Sequence, residues 1–135
     1  MKDARFRLIV MLWLVVFPAC SKYSNDPDLS LARDFIDAYY VMADQQKALM
    51  LSTGSAKDKL ESEINLLKDV TTREDAYRSR DVMFELKRSQ DRGREMAYFY
   101  ELTIRIPDIG DQKRLVNLMV DKELKKITYF AEVQE

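Results

Sequence analysis

Histidine is absent from all 135 residues, and cysteine and tryptophan occur once each, at Cys20 and Trp13. Without histidine there is no usual general base, no imidazole ligand for zinc, and no Ser-His or Cys-His nucleophile pair. A lone cysteine excludes a disulfide framework within the chain. Charge of one sign is missing too: 22 Lys and Arg stand against 23 Asp and Glu, a net −1. That balance carries no electrostatic footprint for nucleic acid and no polybasic tail for an anionic membrane surface. The acidic turns at 25–28 (NDPD) and 108–111 (DIGD) lack the alternating oxygen ligands of a calcium loop. No cofactor and no metal is expected from these residues.

Residues 1–20 hold a charged start, a short apolar core and the single cysteine, in that order. Lys2, Arg5 and Arg7 outweigh Asp3, and residues 8–17 (LIVMLWLVVF) are unbroken apolar. Ten residues make roughly 15 Å of helix, about half of a bilayer core, so a signal h-region is expected rather than a spanning helix. Pro18 stops the helix, and Ala19 is the small residue a signal peptidase requires next to its cut.

The segment Phe17-Pro18-Ala19-Cys20 resembles the lipobox of bacterial lipoproteins. Ala19 and Cys20 match it; Phe17 and Pro18 stand where Leu and a small residue are usual. The resemblance implies cleavage between Ala19 and Cys20, a diacylglycerol on the Cys20 sulfur and an acyl chain on its new amino group. Ser21, where an aspartate would imply retention in the inner membrane, implies the outer membrane facing the periplasm. Other readings are a plain secreted protein and an uncleaved N-terminal anchor. Residues 1–19 are then the signal peptide, and 20–28 the lipidated cysteine with a short polar tether. Residues 29–135 form one domain, large enough for a single core.

From Leu29 the apolar period is helical: Ala32, Phe35, Ile36, Tyr39, Tyr40 and Ala43 share a stripe, with Asp28 or Ser30 as N-cap. A break near Ala43 and Asp44 precedes a second helix at 45–52, with Ala48 and Leu49 inward, closed by Gly54. Ser55 opens a third helix with Ala56, Leu60, Ile64 and Leu67 on its stripe, and 69–80 is a connection. Alternation then takes over. Val82, Phe84 and Leu86 share a face, as do Met96, Tyr98, Tyr100, Leu102, Ile104 and Ile106. Val116, Leu118 and Val120 follow on the third strand, and Ile127, Tyr129, Ala131 and Val133 on the last. Gly93 and Gly110 fall in the turns between them. Helices first and strands second predict an α+β fold, with three helices on one face of a curved four-stranded antiparallel sheet.

The broken first helix (ARDFIDAYYVMADQQKALMLSTGSA), the third helix (KDKLESEI) and the strand ending ITYFAEV resemble small bacterial members of the nuclear transport factor 2-like (cystatin-like α+β) superfamily. The resemblance covers residues 29–132 and implies helices packed into a curved sheet around a cone-shaped cavity. That superfamily holds isomerases, dehydratases, binding modules and assembly domains, so fold alone does not decide function.

Tyr39, Tyr40, Tyr98 and Tyr100, with Tyr129, are candidates for lining such a cavity, since tyrosine joins an apolar body to one hydroxyl. Ordinary core packing explains the same spacing. Asp34, Asp37 and Asp44 are candidate general bases beside them; a solvated helix face explains them equally. Phe99, Leu115, Met119 and Phe130 fall opposite the assigned core faces and form a candidate interface for a homodimer or an envelope partner. The function expected is a non-enzymatic, lipid-anchored envelope protein, held in the membrane through acyl chains on Cys20, whose domain binds a partner or ligand. The alternatives are a periplasmic isomerase-like enzyme using a pocket Asp and Tyr, and a structural homodimer.

Overall fold

The computed structural model describes residues 26–68 and 80–133. The signal, Ala19, Cys20, most of the tether and the connection at 69–79 lie outside the described residues. Helix α1 (Pro27–Ile36) begins two residues before the sequence pattern does. Asp26 is its N-cap, accepting the Asp28 N–H at 3.0 Å. Pro27 suits the first turn because its missing N–H would have no helical partner there.

Ala32, Phe35 and Ile36 are buried as the stripe requires. The helix then widens into a π-turn at Asp37–Val41, where the Met42 N–H reaches the Asp37 carbonyl at 2.9 Å. One extra residue in that turn keeps Tyr40 buried and leaves Ala43 outside the helix at φ 52. Asp44, a candidate base in the sequence, instead caps α2 (Gln45–Met50) by accepting the Lys47 N–H at 2.9 Å. After α2 the chain bridges to the edge of the last strand, with the Thr53 N–H on the Ile127 carbonyl at 2.8 Å. Helix α3 (Gly54–Leu67) buries Ala56 and Leu60 and packs on that strand.

Strands β1 (Asp81–Arg92), β2 (Glu95–Ile106), β3 (Gly110–Asp121) and β4 (Lys126–Val133) form an antiparallel meander in sheet order β1-β2-β3-β4. A two-residue turn joins β1 to β2, and Gly93 takes φ +81 in it, a conformation that favours glycine. The β3–β4 turn is built on Asp121. Its buried carboxylate accepts the Glu123 and Leu124 N–H groups at 2.9 and 2.8 Å and Arg94 Nε at 2.9 Å. The Leu124 N–H bond is the largest of the influences holding that carboxyl below its ordinary range.

The expected core faces of β1, β2 and β3 are the observed ones: Val82, Tyr98, Tyr100, Leu102, Ile104, Val116, Leu118 and Val120 are buried. Strand β4 departs from the alternation. The β3–β4 register passes from Met119 opposite Tyr129 to Val120 opposite Ile127, so Thr128 is an extra residue in a bulge. The bulge turns the strand over. Phe130 enters the core at 3% exposure, while Tyr129 faces outward at 41%. Phe130 is therefore not an interface residue, and Tyr129, Ala131 and Val133 lie across from Met119, Asn117 and Leu115 on the outer face. Thr128 fixes the bulge by donating to Glu95 Oε1 at 2.7 Å.

Candidate functional site

The concave face of the sheet carries two separate pairs of tyrosines, set apart by where the helices cross it. Helix α1 packs on β2, β3 and β4. Tyr39 and Tyr40, on the π-turn, lie with ring centroids 4.7 Å apart. Phe35 and Phe130 complete this cluster: Phe130 is 4.9 Å from both Phe35 and Tyr39. The Tyr39 hydroxyl donates to Glu63 Oε2 of α3 at 2.7 Å. Beside it Arg114 and Glu132 pair across β3 and β4 at 2.9 Å. These aromatic rings close one end of the core.

Tyr98 and Tyr100 occupy β2 on the same face, at 2% and 1% exposure, and neither hydroxyl has a hydrogen-bond partner among the described residues. Tyr100 meets the edge of Phe84 on β1, centroids 5.9 Å apart. Between α1 and β1 an open groove of about 400 Å³ is lined by Asp26, Leu29, Ser30, Arg33, Asp34, Asp37 and Phe84. That volume lies within the range of sites for small organic ligands. The four tyrosines are not in the lining; Tyr98 and Tyr100 lie behind it. Asp26 and Asp28 bear on the Tyr98 hydroxyl, and Arg33 on that of Tyr100. The four candidate pocket tyrosines therefore do not meet in one cavity. Asp34 and Asp37, read separately from them, do line the groove.

The lining follows from helical geometry. Ser30 and Arg33 on α1, and Asp37 where the π-turn begins, recur at three and four residues, on the flank that turns away from the buried stripe. Asp26 is occupied as the N-cap, and Asp28 pairs with Lys125 at 2.7 Å. Ser30, Arg33, Asp34 and Asp37 make no side-chain hydrogen bond or ion pair among the described residues. The carboxylates Glu101, Asp111, Asp121 and Glu132 on the strands, by contrast, are all paired with cations.

Burial pushes the Tyr100 hydroxyl up to about 12. Burial first, then Asp26 and Asp28, push Tyr98 up; burial and the Glu63 bond push Tyr39 up; burial and the Glu132 charge push Tyr40 up. All four are neutral hydroxyls near neutrality, able to donate and to accept. Each folded value lies above the ordinary tyrosine value of about 10, so the stabilisation is complete below pH 10 and is lost as pH rises towards 12 and beyond. Alkaline titration followed by tyrosinate absorbance and circular dichroism should show these four ionising only together with unfolding. Their ionisation in the intact fold would contradict the burial described.

The outer face of the sheet is a third feature. Phe99, Leu115 and Met119 are half-buried there, and Arg88 lies 4.0 Å over the Phe99 ring. Asn117, between Phe99 and Ala131, has a buried Oδ1 with no partner among the described residues. Among the described residues no helix is long and apolar enough to cross a membrane.

No protein-family model matches the sequence, and no curated protein does. Solved structures match by shape. A designed nuclear transport factor 2 variant superposes with a TM-score of 0.52 at 12% identity, covering 81% of this chain and 98% of its own. The fold is nuclear transport factor 2-like. A proposed polyketide cyclase of Acidithiobacillus ferrooxidans aligns with a TM-score of 0.50 at 10% identity, over 82% of this chain and 89% of its own. At these identities the likeness is one of fold. Within this nuclear transport factor 2-like domain the groove sits where α1 leaves the β1 side of the sheet uncovered.

Proposed function

We propose that the protein is a lipid-anchored envelope lipoprotein whose nuclear transport factor 2-like domain binds a small ligand in the groove between α1 and β1. The anchor rests on the order of charged start, ten-residue apolar run, Ala19 and Cys20. The binding role rests on one observation above others: the groove gathers Ser30, Arg33, Asp34 and Asp37, whose side chains make no hydrogen bond or ion pair among the described residues. Binding is favoured over catalysis because Asp34 is exposed and neither it nor Asp37 is hydrogen-bonded to a tyrosine. An isomerase-type site would set such a carboxylate against its proton donor in an apolar enclosure. Membrane fractionation of the wild type beside Cys20→Ala tests the anchor, and ligand titration tests the groove.

A second reading, a homodimer through the outer sheet face, is favoured by the half-buried Phe99, Leu115 and Met119 and by the unpaired Asn117 Oδ1. On that reading, analytical ultracentrifugation should show a concentration-dependent dimer whose dissociation constant rises at least tenfold in Phe99→Asp. A wild type that stays monomeric across the concentration range removes it.

A further inference from the structure

The groove has a charge pattern that selects among ligands. Asp34 on α1 and Asp37, three residues further on at the start of the π-turn, both line the same opening. Both lack a partner among the described residues, and Asp26 adds a third negative charge at the helix start. Phe84 supplies an aromatic ring on the opposite wall and Leu29 an apolar patch beside it. Carboxylates facing an aromatic ring favour an organic cation, which gains from both. Arg33, the one cation in the lining, calls for a second property: an acceptor oxygen on the same ligand. A bare metal ion fits poorly, because the guanidinium stands among too few oxygens to satisfy it.

Resting on the reading of this domain as a binding module, we infer that the groove takes a small organic ammonium carrying an oxygen acceptor and an apolar body. Its ammonium lies between Asp34 and Asp37, its apolar body covers Phe84 and Leu29, and its oxygen meets Arg33. No bond is made or broken; the site recognises and holds.

Three matched probes test the inference: phenylalaninamide, 3-phenylpropionamide and 3-phenylpropionate. They keep the ring while the ammonium is removed and the carboxamide is then replaced by a carboxylate. Each is titrated into isotope-labelled full-length protein in neutral maltoside micelles, followed by amide chemical shifts. Phenylalaninamide should shift Ser30, Arg33, Asp34, Asp37 and Phe84. The neutral amide should bind at least tenfold more weakly, and the carboxylate more weakly still. In the double variant Asp34→Asn, Asp37→Asn the amine should lose at least tenfold while the neutral amide is unchanged; the same spectra report whether the variant is folded. Phe84→Ala should weaken both amides alike. Equal binding of neutral and cationic probes in the groove overturns the ammonium class and leaves the groove as a binding site. Shifts confined elsewhere, or none with any probe, overturn the groove as well, while the anchor is judged separately by fractionation.

Discussion

Replacing Cys20 by alanine should release the protein from the membrane fraction. The expected change is large, because the proposed acylation of Cys20 either takes place on its sulfur or does not. Each buried methylene contributes about 0.8 kcal/mol, and a single acyl chain gives only marginal binding, near 10⁴ M⁻¹. Two or three chains on one cysteine hold firmly. The variant has no sulfur to acylate, and the apolar run at 8–17 is about half the length a bilayer core requires. The pellet-to-supernatant ratio after an alkaline wash should therefore fall more than tenfold. A wild type already soluble, or a variant that stays in the pellet, would remove the lipid from the account. The domain would then stand as a free or otherwise tethered binding module.

The second large effect lies in β4. Phe130→Ala should cost about 3–5 kcal/mol in urea unfolding, as a large buried aromatic does. Its ring touches Phe35 and Tyr39, and Lys59 Nζ sits 4.2 Å over it. Tyr129→Ala, one residue away, should cost less than about 1 kcal/mol, the scale of one cross-strand pair on an exposed face. Phe130→Asp should abolish folding, whereas Tyr129→Asp should be tolerated. The contrast between neighbours tests the bulge at Thr128 directly. If Tyr129 proves the costly position, the strand continues its simple alternation and Phe130 belongs to the outer face.

Much of the fold was legible because alternation and turn chemistry agree along β1 to β3. Val82 and Leu102 face the same core from adjacent strands, and Gly93 and Gly110 sit where the chain reverses. Two of the departures from the sequence pattern share a cause. The π-turn at Asp37–Val41 and the bulge at Thr128 each insert one residue into a regular repeat. Such an insertion leaves composition untouched; in the strand it reverses every facing beyond it, and in the helix it shifts the stripe by about one residue. A signal existed in β4: Tyr129 and Phe130 are adjacent large aromatics, which strict alternation cannot both bury. The N-cap error arose from reading Pro27 as part of the tether, although proline is at home in a first helical turn.

The site was legible only in pieces. Asp34 and Asp37 stood out as carboxylates on the first helix, and Tyr98 and Tyr100 as inward tyrosines. Arg33, Ser30 and Phe84 were missed as a group. Their meeting depends on where α1 crosses the sheet, which no local pattern encodes. Arg33 reads as an ordinary exposed helix cation until Phe84 and the hydroxyl of Tyr100 are placed around it. Tyr39 and Tyr40 were grouped with the β2 tyrosines by residue type, yet Glu63 and Phe130 draw them into a different cluster.

The intact mass of the protein extracted from membranes of a double-membraned bacterium tests the central claim most directly. Loss of Met1 through Ala19 with a gain equal to a diacylglycerol and an acyl chain at Cys20 is the result the account predicts. An unacylated chain, whether uncut or cut near residue 20, would contradict it.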